Sequence, residues 1–228
     1  MLKIYEGKTK NVFQMDDGNV LLEFKDSVTG TQGEIDSGGN VVWGQIEGKG
    51  KASLRLTMHF FQLLEQANID CHFVGIGPRP NTIIVKPAQS YGIEVICREK
   101  AWGSFVRRYG KHATQGMPLP SLVEFTLKDD EKGDPLITAD ALVALSIANL
   151  WEIEYMAKTA KQTTALIKAD LAMKGLELID IKYEFGAVEG RPMLIDEISG
   201  DSMRVAKDNV VLLPHELADA VLGVNETS

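Results

Sequence analysis

Between residues 177 and 204 the chain reads ELIDIKYEFGAVEGRPMLIDEISGDSMR, and no other stretch restricts the fold as strongly. From Leu178 to Phe185 apolar and charged residues alternate: Ile179, Ile181, Tyr183 and Phe185 take one side, Asp180, Lys182 and Glu184 the other. That is the period of a half-buried strand. A second apolar run, Met193 to Ile198, ends in Asp196 and Glu197. Gly186, Gly190 and Pro192 lie between the runs and supply turn chemistry, so the stretch predicts an antiparallel hairpin. The charged side alone reads as the wet face of a sheet. Against that stands the acidic pair, because apolar residues flank Asp196 and Glu197 immediately on both sides. Turn parity then matters: an odd-numbered turn puts Glu184 and Asp196 on one face, and an even-numbered turn separates them. Two carboxylates on one face repel unless neutralised. Magnesium can do this with one or two protein carboxylates, water and nucleotide phosphates.

The rest of the chain supplies the body around this hairpin. Its 228 residues suffice for one large domain or two lobes sharing a cleft. Residues 2–25 predict a hairpin or meander turning at Asp16, Asp17 and Gly18. DSVTGTQGEIDSGGN follows, too polar for a core and long enough for a functional loop. Leu54, Met58, Phe61 and Leu64 recur at helical intervals between Ile46 and Ala67. A longer helical stretch runs from Ala139 to Lys174, with room for one break and Gly175 as its stop. CHFVGI, NTIIVKPA, GIEVICREKAWGSF and LVEFTLK read as strand-like runs, and HELADAVL lies in a short tail. Strands and helices mix without strict alternation, which predicts the α+β class.

A formal charge of −8 argues against general affinity for nucleic acid or anionic membrane, so an anionic substrate has to be met by a local cluster of bases. YEGKTKNVF places Gly7, Lys8 and Lys10 at a turn, where N–H and ammonium groups can take phosphates; the alternative is a solvated polar hairpin. There is no GxxxxGK[ST] loop. In GIEVICREKAWGS, Glu94 and Arg98 point the same way from an extended strand. Arg98 offers a fork for phosphate or carboxylate, with Gly103 and Ser104 as further donors; an internal Glu94–Arg98 salt bridge fits the same spacing. FTLKDDEKGDP carries Lys128, Asp129, Asp130 and Asp134, either an exposed acidic turn or a holder of substrate polar groups, and SGDSMR adds Asp201, Ser202 and Arg204. The four histidines have no ligand spacing and read as structural or surface residues. A lysine-bearing turn, an arginine–serine anion site and a carboxylate pair together describe a phosphoryl-transfer site. Cys71 and Cys97 are too few for a disulfide scaffold, and MLKIYEGKTK has no apolar core of signal-peptide length, so a reducing, cytoplasmic setting is expected.

LIDIKYEFG followed by LIDEISGDSMR resembles the signature of the SAICAR synthetases (phosphoribosylaminoimidazole-succinocarboxamide synthases), purine-biosynthesis ligases that carry a D-x-K-x-E-x-G strand and a D-E-[IF]-S segment. IEVICREKAWGS is similar to their E-x-x-x-R-x-x-x-x-G-S segment, and IYEGKTKNVF, EGKGKASLRL and EFTLKDDEKGDP fall in the family's order. The resemblance implies a fold related to ATP-grasp. ATP would lie between an N-terminal antiparallel sheet lobe, residues 1–85, and a larger mixed lobe, residues 86–228. It implies a ligase that joins L-aspartate to the carboxylate of carboxyaminoimidazole ribonucleotide, through an acyl phosphate, with release of ADP and phosphate. By the same resemblance Gly7, Lys8, Lys10 and Lys86 serve ATP, Glu184 and Asp196 hold magnesium with Lys182 beside them, and Lys128 lies with Asp134 on the nucleotide-substrate side of the cleft, Lys128, Lys182, Glu184 and Asp196 being the candidate catalytic residues. Glu94, Arg98, Ser104, Asp134 and Arg204 map to the ribonucleotide. The partners implied are these small molecules, with neither nucleic acid nor membrane, and a homodimer is common in the family. An ATP-dependent small-metabolite kinase is the alternative that the same residues would serve.

Departures from the family pattern mark a divergent branch. Glu99, Lys100, Ala101 and Trp102 stand where many members read N-x-x-A after the arginine. Gly200 and Met203 replace a proline and a cysteine, Val205-Ala206-Lys207 follows Arg204, and DSVTGTQGEID occupies the early loop.

Overall fold

The computed structural model describes residues 1–31, 34–37, 39 and 41–223, and these described residues form three antiparallel sheets. The meander appears as β1 (Leu2–Glu6), β2 (Lys10–Gln14) and β3 (Val20–Phe24). Next come β4 (Ser27–Thr31), β5 (Glu34–Ile35) and β6 (Val41–Gln45), then α1 (Lys49–Gln66). β7 (Phe73–Ile76) and β8 (Thr82–Val85) complete the first sheet, in the order β1-β2-β3-β8-β7. β9 (Gln89–Lys100), α2 (Ser104–Tyr109), β10 (Pro118–Leu127), α3 (Ala139–Ala144) and α4 (Leu150–Ala172) follow. The chain then runs through β11 (Glu177–Val188), β12 (Arg191–Ile195), β13 (Met203–Lys207), β14 (Val210–Val211) and α5 (Pro214–Leu222). The second sheet has the order β10-β9-β11-β13-β14, with β12 also pairing β11. None of the described helices is long and apolar enough to cross a membrane.

One expectation is corrected. The polar segment read as a loop forms β4 and β5, which pair with β6 in a third small sheet. Ser27, Val28 and Thr29 are buried there, so polarity over this stretch reflects packed hydroxyls rather than a solvated loop. Gln32, Gly33, Gly38 and Asn40 of the same segment lie outside the described residues.

The alternation in β11 works as read. Ile179, Ile181, Tyr183 and Phe185 are fully buried, and Tyr183 shares a hydrogen bond of 2.9 Å with Thr164 of α4. The helical stretch after Ala139 is broken at Ser146, whose φ is 56°, and α4 restarts with a reciprocal cap. There the Asn149 side chain accepts from Glu152 N–H at 3.0 Å, and the Glu152 side chain accepts from Asn149 N–H at 2.8 Å. One continuous core joins the first and second sheets. Leu22, Phe24 and Val85 of the first pack in the same cluster as Ile93, Val95, Tyr183 and Phe185 of the second, with Phe60 and Phe61 of α1, Met156 and Ile167 of α4 and Leu217 of α5.

Gly200 shows how the tail is accommodated. A β-carbon at this position would stand 2.5 Å from Pro214 Cα and 2.8 Å from its Cβ, because the start of α5 packs directly on the glycine. Absence of a side chain here is therefore a packing requirement of this chain, and it accounts for the missing proline. Gly200→Ala is expected to lower the unfolding free energy by about 1–3 kcal/mol, the usual cost of overpacking. Urea denaturation checks it, and an unchanged midpoint would contradict the packing.

Candidate active site

Register places the charged residues of three strands on one face. Glu94 of β9 lies opposite Thr126 of β10 and Glu184 of β11, while Arg98 lies opposite Leu122 and Asp180. Strand alternation carries Lys182 onto the same face between Asp180 and Glu184. This is not a wet face: Arg98, Asp180 and Glu94 are only 1%, 3% and 4% exposed. Buried charges must be paired, and these are. Glu94 accepts from Lys182 Nζ at 2.7 Å and Thr126 Oγ1 at 3.0 Å, instead of from Arg98. Lys128 Nζ reaches Glu184 at 2.6 Å.

A cavity of about 330 Å³ opens on this face. Lys8, Lys10 and Lys86 approach it from the first sheet, and Lys128, Lys182, Glu184 and Asp196 from the second. Apolar Val12, Leu22, Val85 and Ile195 complete part of the wall. Lys10 is gripped by Asp196 at 3.0 Å and by Glu197, while Lys8 pairs with Asp130 at 2.7 Å. Gly7 does not line the cavity. It closes the preceding turn, its N–H donating to Lys10 O at 2.7 Å, and a β-carbon there would meet that oxygen at 3.1 Å.

Glu184 and Asp196 reach the same cavity against the parity of their hairpin. Val188 pairs with Arg191, so the turn is the even pair Glu189-Gly190, and Ile195 is the residue opposite Glu184. Simple alternation would then send Asp196 to the other face. It does not, because the strand ends at Ile195 and Asp196 takes a left-handed backbone, φ 69°. His72 Nε2 donates to the Asp196 carbonyl at 3.0 Å. Burial, with Asp196 close by, pushes the Glu184 carboxyl up. Burial also opposes the Asp196 charge, but Lys10 and Lys128 outweigh it and hold that carboxyl below its ordinary value. Partial desolvation opposes the charge on Lys10, Lys128 and Lys182 too, yet the facing carboxylates raise all three, so each stays an ammonium. Behind them, wholly buried Lys49 of α1 holds Asp201 at 2.7 Å, whose carboxyl burial and Glu197 push up to about 6.

A second cavity, about 100 Å³, adjoins the first. Arg98, Ser104, Asp134 and Arg204 line it, with Asp180 and Thr126. Arg98 donates to Asp180 at 2.8 Å, Glu124 at 2.6 Å and Ser104 at 3.0 Å. Arg204 donates to both Asp180 oxygens, at 3.0 and 2.9 Å, and to Asp36 at 2.8 Å. Asp180 thus bridges two guanidinium groups that would otherwise repel. Gly103 has to be glycine on two counts: its φ is 50°, and a β-carbon would stand 3.0 Å from the Arg204 guanidinium. Ser37, Glu94, Lys182 and Ser202 line both cavities, so the two spaces meet at these residues.

Every residue that the resemblance assigns to the site except Gly7 therefore lines one cavity or the other, whereas Gly103 and Asp129 line neither. Asp180, Glu197, Asp36, Glu124 and Lys49 carried no expected role, and His72 was expected only as a structural or surface residue. Asp180 and Glu197 were visible on the charged strand and in the acidic pair; Asp36 lies 168 residues from its partner and carries no local signal. The unusual residues after Arg98 are structural. Glu99 accepts from Ser121 at 2.7 Å and from Lys168, Lys100 pairs with Glu177 at 2.6 Å, Ala101 is buried with Phe105 and Leu119, and neither they nor Trp102 line either cavity. Met203 is a core residue.

The sequence matches the SAICAR synthetase family over residues 3–211. The phosphoribosylaminoimidazole-succinocarboxamide synthase of Clostridium tetani is 46% identical over 223 residues, 96% of this chain and 98% of that protein. Among solved structures, a SAICAR synthetase in complex with ADP is 32% identical with a TM-score of 0.85, covering 96% of this chain and 97% of that one. The Pyrococcus horikoshii SAICAR synthetase is 32% identical with a TM-score of 0.79, over 89% of this chain and 86% of that one. Family match, curated relative and solved structures agree, and the chain belongs to the SAICAR synthetase family.

Proposed function

We propose that this chain makes SAICAR in the paired cavities, joining L-aspartate to the carboxylate of carboxyaminoimidazole ribonucleotide at the expense of ATP. Family membership gives the ATP-dependent ligase activity in purine biosynthesis. The observation that carries the site reading is the meeting of the two cavities at Glu94 and Lys182, one space rich in lysines and carboxylates, the other in arginines. ATP takes the larger cavity, in a fold related to ATP-grasp, with its phosphates toward Lys8, Lys10, Lys86 and Lys128. The ribonucleotide phosphate goes to Arg98, Ser104 and Arg204, with Asp134 on the same wall. Its carboxylate is then presented at the junction.

Magnesium fits the carboxylate pair. Glu184 and Asp196 are oxygen donors crowded enough that one raises the other, a repulsion that a dication relieves. Among the described residues no group of three or more His, Cys, Asp or Glu stands ready for a metal, which suits an ion shared between two carboxylates, phosphate and water. When bound, it would neutralise phosphoryl oxygens and align them.

A carboxylate is a poor electrophile because oxide is a poor leaving group. In the first step its oxygen attacks the γ-phosphorus, and the bond to the bridging oxygen of ADP breaks. Lys10, Lys128 and Lys182 hold charge near the phosphoryl oxygens throughout. In the second step the neutral amine of aspartate attacks the carbonyl carbon, phosphate leaves with the C–O electron pair, and the nitrogen loses a proton. The protein mainly holds three substrates in line, and proximity can contribute about 7–11 kcal/mol to such a reaction.

ADP release by the purified chain is expected to require ATP, magnesium, the ribonucleotide and L-aspartate together; release that ignores aspartate would favour a kinase. Asp196→Asn is expected to lower turnover about 100-fold or more while the circular-dichroism spectrum stays unchanged, since several kcal/mol of charge stabilisation is lost. Near-normal turnover would remove Asp196 from the metal role. Asp180→Asn leaves the buried Arg98 and the part-buried Arg204 without their bridge and is expected to cost about 3 kcal/mol in urea denaturation. Added phosphate should restore part of that loss, and a fully stable variant would overturn the bridging role.

A further inference from the structure

We propose that His72 is a positioning residue for the magnesium side of the site, fixing the Asp196 peptide so that its carboxylate faces Glu184. The inference rests on the metal role given to Asp196 above. Its starting point is the hairpin parity. An even turn directs residue 196 away from the cavity, and only the left-handed backbone, φ 69°, turns the carboxylate back. For a residue other than glycine that conformation costs roughly 1–2 kcal/mol. It persists where neighbouring contacts over-determine it.

His72 supplies such a contact. The Asp196 carbonyl oxygen can only accept, so His72 Nε2, at 3.0 Å, carries the hydrogen. The histidine is itself immobilised. It is 4% exposed, its N–H donates to Leu194 O at 3.0 Å, and its own carbonyl accepts from Lys86 N–H at 2.7 Å. The ring stands edge-to-face on Phe61 of α1, centroids 6.1 Å apart. One residue therefore ties β12, the segment after β8 and the Asp196 peptide into a single frame. Burial lowers its pKa to about 4, which keeps the ring neutral in this frame.

The test separates metal positioning from packing and from nucleotide contact. ADP binding is measured by calorimetry with and without magnesium on the wild-type chain and on His72→Phe and His72→Gln. Phenylalanine keeps the ring and removes the N–H, whereas glutamine returns an N–H donor at comparable reach. Magnesium is expected to tighten ADP binding to the wild type. His72→Phe should lose at least ~10-fold of that tightening while its metal-free affinity stays within ~2-fold, and His72→Gln should keep the tightening within ~3-fold. If His72→Phe does not fold, His72→Asn, whose amide is too short to reach Asp196, takes its place. Unchanged tightening in the Phe or Asn variant would overturn the proposal, as would equal losses in it and the glutamine variant. An equal fall with and without metal would make His72 a nucleotide contact and overturn it too. Absence of any magnesium effect on the wild type would instead sink the metal reading on which the proposal stands.

Discussion

Charge buried on the face of a sheet has to be neutralised where it lies, and this condition organises the molecule. The Arg98–Asp180–Arg204 bridge is the centre of it, with Arg98 1% and Asp180 3% exposed. Removing one partner of such an arrangement typically costs several kcal/mol, a large part of the stability of a domain. The bridge draws β9, β11 and β13 into one register. It also joins Asp36, at the end of the early segment, to the far end of the chain. Around the same face, Lys182–Glu94, Lys128–Glu184 and Lys10–Asp196 repeat the principle with lysines. Lysines so fixed are ammonium groups already in place for the phosphates proposed to bind there, and on that proposal little reorganisation remains for the reaction itself.

Much of this was legible in the sequence because it is periodic. Alternation in β11 separated its core face from its charged face, and the even spacing of Glu94 and Arg98 put them on one side of β9. Helical spacing located α1 and α4. What alternation could not give was depth: the same pattern describes a strand whose polar face meets water and one whose polar face meets arginines. Partners far apart in the chain, such as Asp36 and Arg204, leave no local trace. The early polar segment misled because serine and threonine satisfy their hydroxyls within a sheet as readily as in a loop. Asp196 misled in a different way, since strand parity assumes a backbone that the residue itself abandons.

Several of the departures from the family pattern have structural reasons. Gly200 makes room for Pro214, and Met203 fills core volume. The residues from Glu99 to Lys100 bind neighbouring strands and helices away from either cavity. Divergence has been absorbed by packing around the site, while the charged face keeps its pattern. Helix α5, packed on α1, fits the same view.

The continuous core has a kinetic consequence. Leu22, Phe24 and Val85 on one side of the larger cavity belong to the same apolar cluster as Ile93, Tyr183 and Phe185 on the other. Parting the sheets would return such side chains to water at about 1.5–3 kcal/mol each, so a few of them would consume the stability of the whole fold. With ATP in the larger cavity, as proposed above, nucleotide exchange has to proceed at the rim. There Lys8 and Asp130 join the two sides through a part-exposed pair, 2.7 Å long, of a kind worth about 0–1 kcal/mol and weakened by salt. Product departure should accordingly quicken with ionic strength and be indifferent to mutations that change only global stability. Stopped-flow release of ADP at graded salt would show which of the two it follows.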